Sequence, residues 1–107
     1  MRVVEYLDPH GRSPFARWFG TLNARAAARI AVTLARMGQG NLSGAKSVGG
    51  GVLECRLDYG PGYRVYFGRD GAELVILLAG GTKRRQQADI VRARERWRDC
   101  RQRKKEI

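Results

Sequence analysis

The chain has 107 residues, 43% of them hydrophobic, and a formal net charge of +11 from 21 basic and 10 acidic residues. This length predicts one domain, over 1–107, that can bury a core without disulfides or metal. No apolar run is long enough to cross a membrane and no secretion leader is visible, so we expect a cytoplasmic protein with no membrane partner. A single histidine and two cysteines have no metal-ligand spacing, and no metal or other cofactor is expected.

The positive charge is unevenly distributed along the chain. Residues 1–40 contain six basic and two acidic residues (+4), residues 41–82 four of each (0), and residues 83–107 eleven and four (+7). A basic field of this size attracts polyanions, so nucleic acid or an acidic protein is the expected partner. A membrane surface is disfavoured, because the basic helices lack a broad apolar face with interfacial aromatics.

Residues 2–7 are predicted to form a first strand, followed by two amphipathic helices. Ser13 and Pro14 are typical of the N-cap and first position of a helix. Asn23 can cap a second helix, which Gly38 ends. Each helix has one apolar stripe at helical spacing, formed by Phe15, Trp18, Phe19 and Leu22 in the first and by Ala27, Ile30, Ala31, Leu34 and Met37 in the second.

A β-hairpin is predicted after a glycine-rich stretch. Residues 52–57 and 63–67 alternate apolar and polar, and the Gly-Pro-Gly at 60–62 is a turn signal. Only one register keeps the apolar side chains on one face, and it sets Arg56 opposite Arg64 and Glu54 opposite Tyr66. Like charges facing each other across two strands are destabilising. Either an anion, most naturally a phosphate, lies between the guanidiniums, or they splay apart on a solvated face.

The last predicted elements are a strand and a helix. Residues 72–79 are nearly all apolar, as expected of a central strand covered on both faces. Asp70-Gly71 predicts a two-residue turn, which would pair Phe67 with Leu74. Residues 86–103 are predicted to form a helix that docks through a narrow apolar stripe. Residues 101–107 are a basic tail, of which 101–105 are expected to fray. The stripe consists of Ile90, Ala93 and Trp97.

Strand alternation is expected to gather polar residues on the side of the sheet away from the helical hairpin. Arginine, lysine and tyrosine without a metal suit the attack of an RNA 2′-hydroxyl on its own 3′-phosphate, since the substrate supplies the nucleophile and the protein orients it and neutralises charge. Nearby cations lower the pKa of a lysine, which makes Lys46 or Lys83 the candidate general base or acid. The gathered residues are Lys46, Glu54, Arg56, Arg64, Tyr66, Lys83, Arg84 and Arg85.

The chain resembles the RelE/HigB superfamily of toxins, in its phage-derived addiction module killer protein branch. The resemblance covers almost all of the chain. It rests on Lys46 and on the segments 51–57 (Gly-Val-Leu-Glu-Cys-Arg-Leu), 60–67 (Gly-Pro-Gly-Tyr-Arg-Val-Tyr-Phe) and 77–83 (Leu-Leu-Ala-Gly-Gly-Thr-Lys). It implies an α+β, RelE-like fold: a small, mostly antiparallel sheet of about four strands packed on an N-terminal helical hairpin, with a C-terminal helix, in the order β-α-α-β-β-β-α.

The resemblance also implies a type II toxin–antitoxin system. Such toxins are endoribonucleases that cut mRNA, typically on the ribosome, and a cognate helix-turn-helix antitoxin silences them. Arg64 matches the family's catalytic arginine, Arg56 and Lys83 match basic positions of the same groove, and Lys46 matches a basic position before it.

We therefore predict a metal-independent mRNA endoribonuclease whose catalytic residues are Arg64, Arg56, Lys83, Lys46 and Tyr66. Two alternatives remain open. One is a non-catalytic RNA- or DNA-binding module whose groove only holds phosphates, and the other is an interaction protein whose basic surface docks an acidic partner such as the antitoxin. RNA contacts are expected from Glu54, Tyr63, Arg84, Arg85, Arg101 and Arg103.

Overall fold

A five-stranded mixed sheet with helices on both faces forms an α+β fold. The computed structural model describes residues 1–105. A 3₁₀ helix, Lys83–Arg85, leads into the last α-helix. The elements are β1 (Arg2–Glu5), α1 (Pro14–Phe19), α2 (Ala24–Gly38), β2 (Lys46–Ser47), β3 (Leu53–Arg56), β4 (Arg64–Asp70), β5 (Leu74–Gly81) and α3 (Gln86–Lys105).

The strands lie in the order β1-β5-β4-β3-β2, with β1 parallel to β5 and every other pair antiparallel. The predicted α+β class and mostly antiparallel sheet are confirmed, but the predicted strand count of about four is one too low. The additional strand is β2, in which Lys46 pairs with Glu54 and Ser47 with Leu53. Two residues that follow a glycine-rich stretch have no hydrophobic period from which to predict a strand.

Both predicted helix caps are confirmed. The Ser13 hydroxyl accepts a hydrogen bond from the backbone N–H of Ala16 at 3.0 Å, and the Asn23 side chain accepts one from Ala26 at 2.9 Å. Each cap satisfies a backbone donor that has no partner within its helix. The buried face of α2 is turned slightly from the predicted stripe, because Ala26 is buried whereas Ala31 is exposed.

The sheet separates two apolar layers, so β5 is covered on both faces as predicted. One layer packs against α1 and α2, and the other packs against α3. Buried residues of the first include Phe15, Ile30, Met37, Val65, Phe67, Val75 and Leu77. Buried residues of the second include Tyr6, Val52, Tyr66, Ile76, Leu78, Ile90, Ala93 and Trp97.

One of the two predicted strand registers is confirmed and the other is wrong. Arg56 pairs with Arg64 and Glu54 with Tyr66 in the β3–β4 hairpin, as predicted. In the β4–β5 hairpin, however, Phe67 pairs with Leu77 rather than Leu74. The loop contains three residues, 71–73, instead of a two-residue turn, and a β-bulge interrupts the ladder between Tyr66 and Phe67.

The helix α3 lies across the face of the sheet that carries the polar residues of the hairpin. Trp97 packs directly on β4 at Gly68, where a Cβ atom would come within 2.4 Å of the indole ring. The stripe of Ile90, Ala93 and Trp97 is buried, which confirms the predicted docking.

The predicted fraying of the tail is wrong for residues 101–105, which continue α3. Arg103 donates to the Asp99 carboxylate at 2.7 Å and to the backbone carbonyl of Leu7, and Lys104 pairs with Asp70. These contacts fix the end of the helix against the segment that follows β1 and against the last residue of β4. Residues 106–107 of the predicted tail lie outside the described residues. Among the helices of residues 1–105, none is long and apolar enough to cross a membrane.

Candidate functional site

One pocket brings together three of the five predicted catalytic residues. Arg56, Arg64 and Lys83 line a cavity of about 590 Å³ between the β3–β4 loop and the 3₁₀ helix. Arg56 ends β3 directly opposite Arg64 at the start of β4. Arg64 in turn pairs with Gly81, the last residue of β5, so the sheet delivers Lys83 to the same edge two residues later. The confirmed β3–β4 register places Arg56 beside Arg64, whereas Lys83 reaches the pocket through the observed β4–β5 register, which differs from the predicted one.

The turn before β4 approaches the 3₁₀ helix closely at Gly62. The backbone φ of Gly62 is +77°, a conformation that favours glycine. A Cβ atom there would also lie 3.1 Å from Nη1 of Arg64 and 3.2 Å from Cβ of Lys83. The Gly62 carbonyl accepts a hydrogen bond from Nη1 of Arg64 at 2.7 Å. This glycine thus permits the close packing that defines one wall of the pocket.

A buried carboxylate compensates one of the two opposed arginines. Oε2 of Glu54 lies 3.7 Å from Nε of Arg64 and accepts a hydrogen bond from the side-chain amide of Gln86 at 2.8 Å. Glu54 is fully buried and Arg64 is 2% exposed, whereas Arg56 is exposed. The protein itself therefore supplies an anion beside Arg64. Arg56 remains free to meet an external one.

Tyr66 lies beneath α3 and does not line the pocket. Its side chain is fully buried, and its hydroxyl has no hydrogen-bond partner among the described residues. Burial, followed by the charge of Glu54, raises the pKa of Tyr66 well above its ordinary value. The expectation that Glu54 and Tyr66 share an open polar face is corrected, because α3 covers that part of the sheet.

Lys46 is connected to this network from outside. Its ammonium group lies 3.8 Å from Oε1 of Glu54, and its side chain is 56% exposed at the edge of the sheet. We expected other cations beside a lysine that acts as base or acid, but the neighbour of Lys46 is a carboxylate. The geometry leaves Lys83 as the lysine within the pocket.

The predicted RNA contacts divide into exposed and engaged side chains. Glu54 is buried, so it cannot meet RNA in this conformation. Tyr63 lies on the α1 side, where its ring centroid is 6.3 Å from that of Trp18. Arg103 binds Asp99. The exposed members of the predicted set are Arg84, Arg85 and Arg101, and the guanidinium carbon of Arg101 lies 5.6 Å from the Trp97 ring centroid.

Comparison with known proteins identifies a relative for most of the chain. No family model matches the sequence. A Haemophilus influenzae protein described as "Uncharacterized protein" is 44% identical over 81 residues, which are 75% of this chain and 82% of the relative. The chain belongs to the same family as this protein.

One charged residue of the pocket was not among the predicted site residues. Asp58 is exposed and lines the cavity with Arg56, Arg64 and Lys83. The signal available was its position two residues after Arg56, in the loop that the Gly-Pro-Gly turn folds back over the strand ends. Its carboxylate adds a hydrogen-bond acceptor to a lining whose three cations suit an anion.

Proposed function

We propose that the protein is the toxin of a type II toxin–antitoxin system with a RelE-like arrangement. It cleaves mRNA on the ribosome in the cytoplasm, and a cognate helix-turn-helix antitoxin silences it. The observation that carries the proposal is the convergence of Arg56, Arg64 and Lys83 on one pocket. Three cations around one concavity match the negative charge that develops on a phosphate under attack. The helical hairpin on one face of the sheet and the basic helix on the other support the RelE-like arrangement.

In the proposed reaction, the RNA 2′-oxygen forms a bond to the adjacent phosphorus and the bond to the 5′-oxygen of the next nucleotide breaks. The 2′-hydroxyl proton passes to a base, and an acid protonates the leaving 5′-oxygen, so the products end in a 2′,3′-cyclic phosphate and a 5′-hydroxyl. Asp58 and Lys83 are the side chains of the pocket suited to these transfers, because arginine keeps its proton.

The arginines have different tasks in this mechanism. Arg64 is fixed by Gly62 and Glu54, so its charge is positioned before substrate arrives. Pre-positioned charge needs no reorganisation during the reaction. Arg56 is exposed and can close on the phosphate from the opposite strand.

A non-catalytic RNA-binding module is the second candidate. The observation that favours it is the state of Arg64, which is 2% exposed and already hydrogen-bonded to Gly62. A pocket in which only Arg56 and Lys83 reach the phosphate could bind RNA without accelerating cleavage.

Induction in cells separates the two candidates. We expect the native protein to arrest growth and to produce new mRNA 5′ ends, and expect Arg56→Ala to lose both effects. Arg25→Ala removes the same charge from the exposed first turn of α2, outside the pocket, and should remain toxic. Growth arrest without new 5′ ends would favour the binding module. Equal effects of the two substitutions would argue against the pocket as the site of action.

A further inference from the structure

The pocket lined by Arg56, Arg64 and Lys83 is called the cleavage pocket below. A second basic cleft lies on the other side of the 3₁₀ helix from it. It has a volume of about 510 Å³ and is enclosed by α1, the end of β5 and the first half of α3. This volume falls within the range of clefts that bind small ligands. Five arginines line the cleft: Arg12, Arg17, Arg85, Arg92 and Arg96.

The two acidic residues of the cleft, Asp8 and Asp89, are too few to balance these arginines and, among the described residues, form no close ion pair with them. The Asp8 carboxylate accepts hydrogen bonds from the backbone N–H groups of His10 and Arg12, at 2.8 and 3.0 Å. Asp89 is 9% exposed, and its Oδ2 packs against Gly81, only 1.9 Å from the position that a Cβ atom on this glycine would take. Within residues 1–105, none of the five arginines has a carboxylate within ion-pairing distance. With five arginines and two aspartates in its lining, the cleft therefore carries an excess of positive charge.

The 3₁₀ helix joins this cleft to the cleavage pocket. With three residues per turn, successive side chains project about 120° apart. Lys83 lines the cleavage pocket and Arg85 lines the second cleft, with Arg84 exposed between them. Basic side chains thus follow one another without interruption from one cavity to the next.

We infer that the second cleft holds the phosphates of nucleotides that flank the cleavage pocket on the same single-stranded RNA. The inference rests on the proposed function, because it takes RNA as the ligand of the first pocket. Guanidinium groups bind phosphate oxygens in a matching fork geometry. Single-stranded nucleic acid is commonly held in a positively charged groove that tracks its backbone.

RNA fits the cleft better than an acidic protein does. The central part of a protein interface is apolar and usually contains an aromatic anchor. The exposed large hydrophobic residues of residues 1–105 are Leu7, Val32 and Val91, and none of them lines the cleft. Trp18 does line it and is half-buried, and its ring packs on Gly80 and lies 6.3 Å from the ring of Tyr63, so part of this side chain is already engaged within the fold.

The test compares two double variants that remove equal charge. Arg17→Gln with Arg92→Gln removes two exposed arginines from the cleft, and Arg25→Gln with Arg69→Gln removes two exposed arginines that line neither cavity. Binding of 2′-O-methyl RNA, which has no free 2′-hydroxyl and is not cleaved, is measured by fluorescence anisotropy from about 50 to 200 mM salt. The probes are a dinucleotide, an octanucleotide and a polyglutamate that carries the same charge as the octanucleotide.

We expect the cleft variant to bind the octanucleotide more weakly than the native protein and the dinucleotide equally well. Each lost phosphate contact lowers the slope of log affinity against log salt by about 0.7, or about 1.4 for two contacts. When salt rises from about 50 to 200 mM, the affinity of both proteins falls. The factor by which it falls should be about sevenfold smaller for the cleft variant than for the native protein. The control variant should keep the native slope.

Equal losses in the two double variants would overturn the inference, because they would show a diffuse field instead of a site. Polyglutamate could instead bind the native protein more tightly than the octanucleotide does and lose this affinity in the cleft variant. That result would assign the cleft to an acidic protein. Failure of the proposed function has a different signature: the cleft binds the octanucleotide as expected, while unmodified RNA is never cut. A different result would overturn the inference and leave the proposed function standing. In that case the native protein cuts unmodified RNA, and the cleft variant binds the octanucleotide as tightly as the native protein does.

Discussion

The Glu54 carboxylate lies 3.7 Å from Nε of Arg64, and the two side chains are almost completely withdrawn from solvent. A buried ion pair is costly to desolvate, and removing one partner leaves an uncompensated charge in the interior. The residue most closely associated with the proposed activity is therefore also part of the packing beneath α3. Loss of function on substituting Arg64 would report on folding as well as on chemistry.

We predict that Glu54→Gln and Arg64→Gln will each lower the free energy of unfolding by about 3–5 kcal/mol. The double variant should lose clearly less than the sum, since neither charge is then left alone. Lys46→Gln serves as the control and should cost less than about 1 kcal/mol, because its side chain is 56% exposed. Urea unfolding of the native protein, the two single variants and the double variant measures the coupling. Strictly additive losses would contradict a direct interaction.

The end of α3 should contribute to stability through Arg103. This side chain donates to Asp99 and to the Leu7 carbonyl, and its guanidinium carbon lies 5.2 Å from the Tyr6 ring centroid. We expect Arg103→Ala to lower the free energy of unfolding by about 1–2 kcal/mol. Arg98→Ala, at an exposed position of the same helix, should change it by less than about 0.5 kcal/mol. Equal urea midpoints for the two variants would indicate that the end of the helix is only loosely attached.

Stability at alkaline pH should depend on Tyr6. Burial, and then the hydrogen bond to Asp99, raises the pKa of Tyr6 from 10.0 to about 12. The raised pKa favours the protonated hydroxyl in the folded state, so its contribution is complete below pH 10 and is lost as the pH rises through about 12. Between these values the stability of the native protein should fall more steeply than that of Tyr6→Phe. Parallel curves from unfolding at several pH values would contradict this assignment.

The two hairpins show what the sequence could specify. The strands β3 and β4 alternate apolar and polar residues across Gly60-Pro61-Gly62, so a one-residue slip would turn every side chain to the wrong face. The register of Arg56 and Arg64 could therefore be predicted. The strand β5 is apolar on both faces and tolerates several registers equally well. The Asp70-Gly71 pair then indicated a two-residue turn. No sequence pattern indicated the three-residue loop or the bulge next to Tyr66.

The site was predictable only in part for a related reason. Alternation was enough to place Arg56 opposite Arg64, and the expectation that Lys83 joins them rested on its position just after the next strand, because the β4–β5 register that brings it there was not predicted. They could not show that α3 crosses the same face and buries Glu54 and Tyr66. One sequence feature does point to this contact: Gly68 stands in the middle of β4, where a glycine marks the close approach of another group, and Trp97 packs on it.

The most direct test of RNA cleavage at the Arg56–Lys83 pocket uses one mRNA in two forms, incubated with the purified protein in the presence of ribosomes. The first is all-RNA, and the second has a single 2′-deoxy nucleotide at the position where the first is cut. We predict cleavage of the first to a 2′,3′-cyclic phosphate and a 5′-hydroxyl, and no cleavage of the second at that position, because the nucleophile is missing. Equal cleavage of both forms, or an intact all-RNA substrate, would contradict the proposed function.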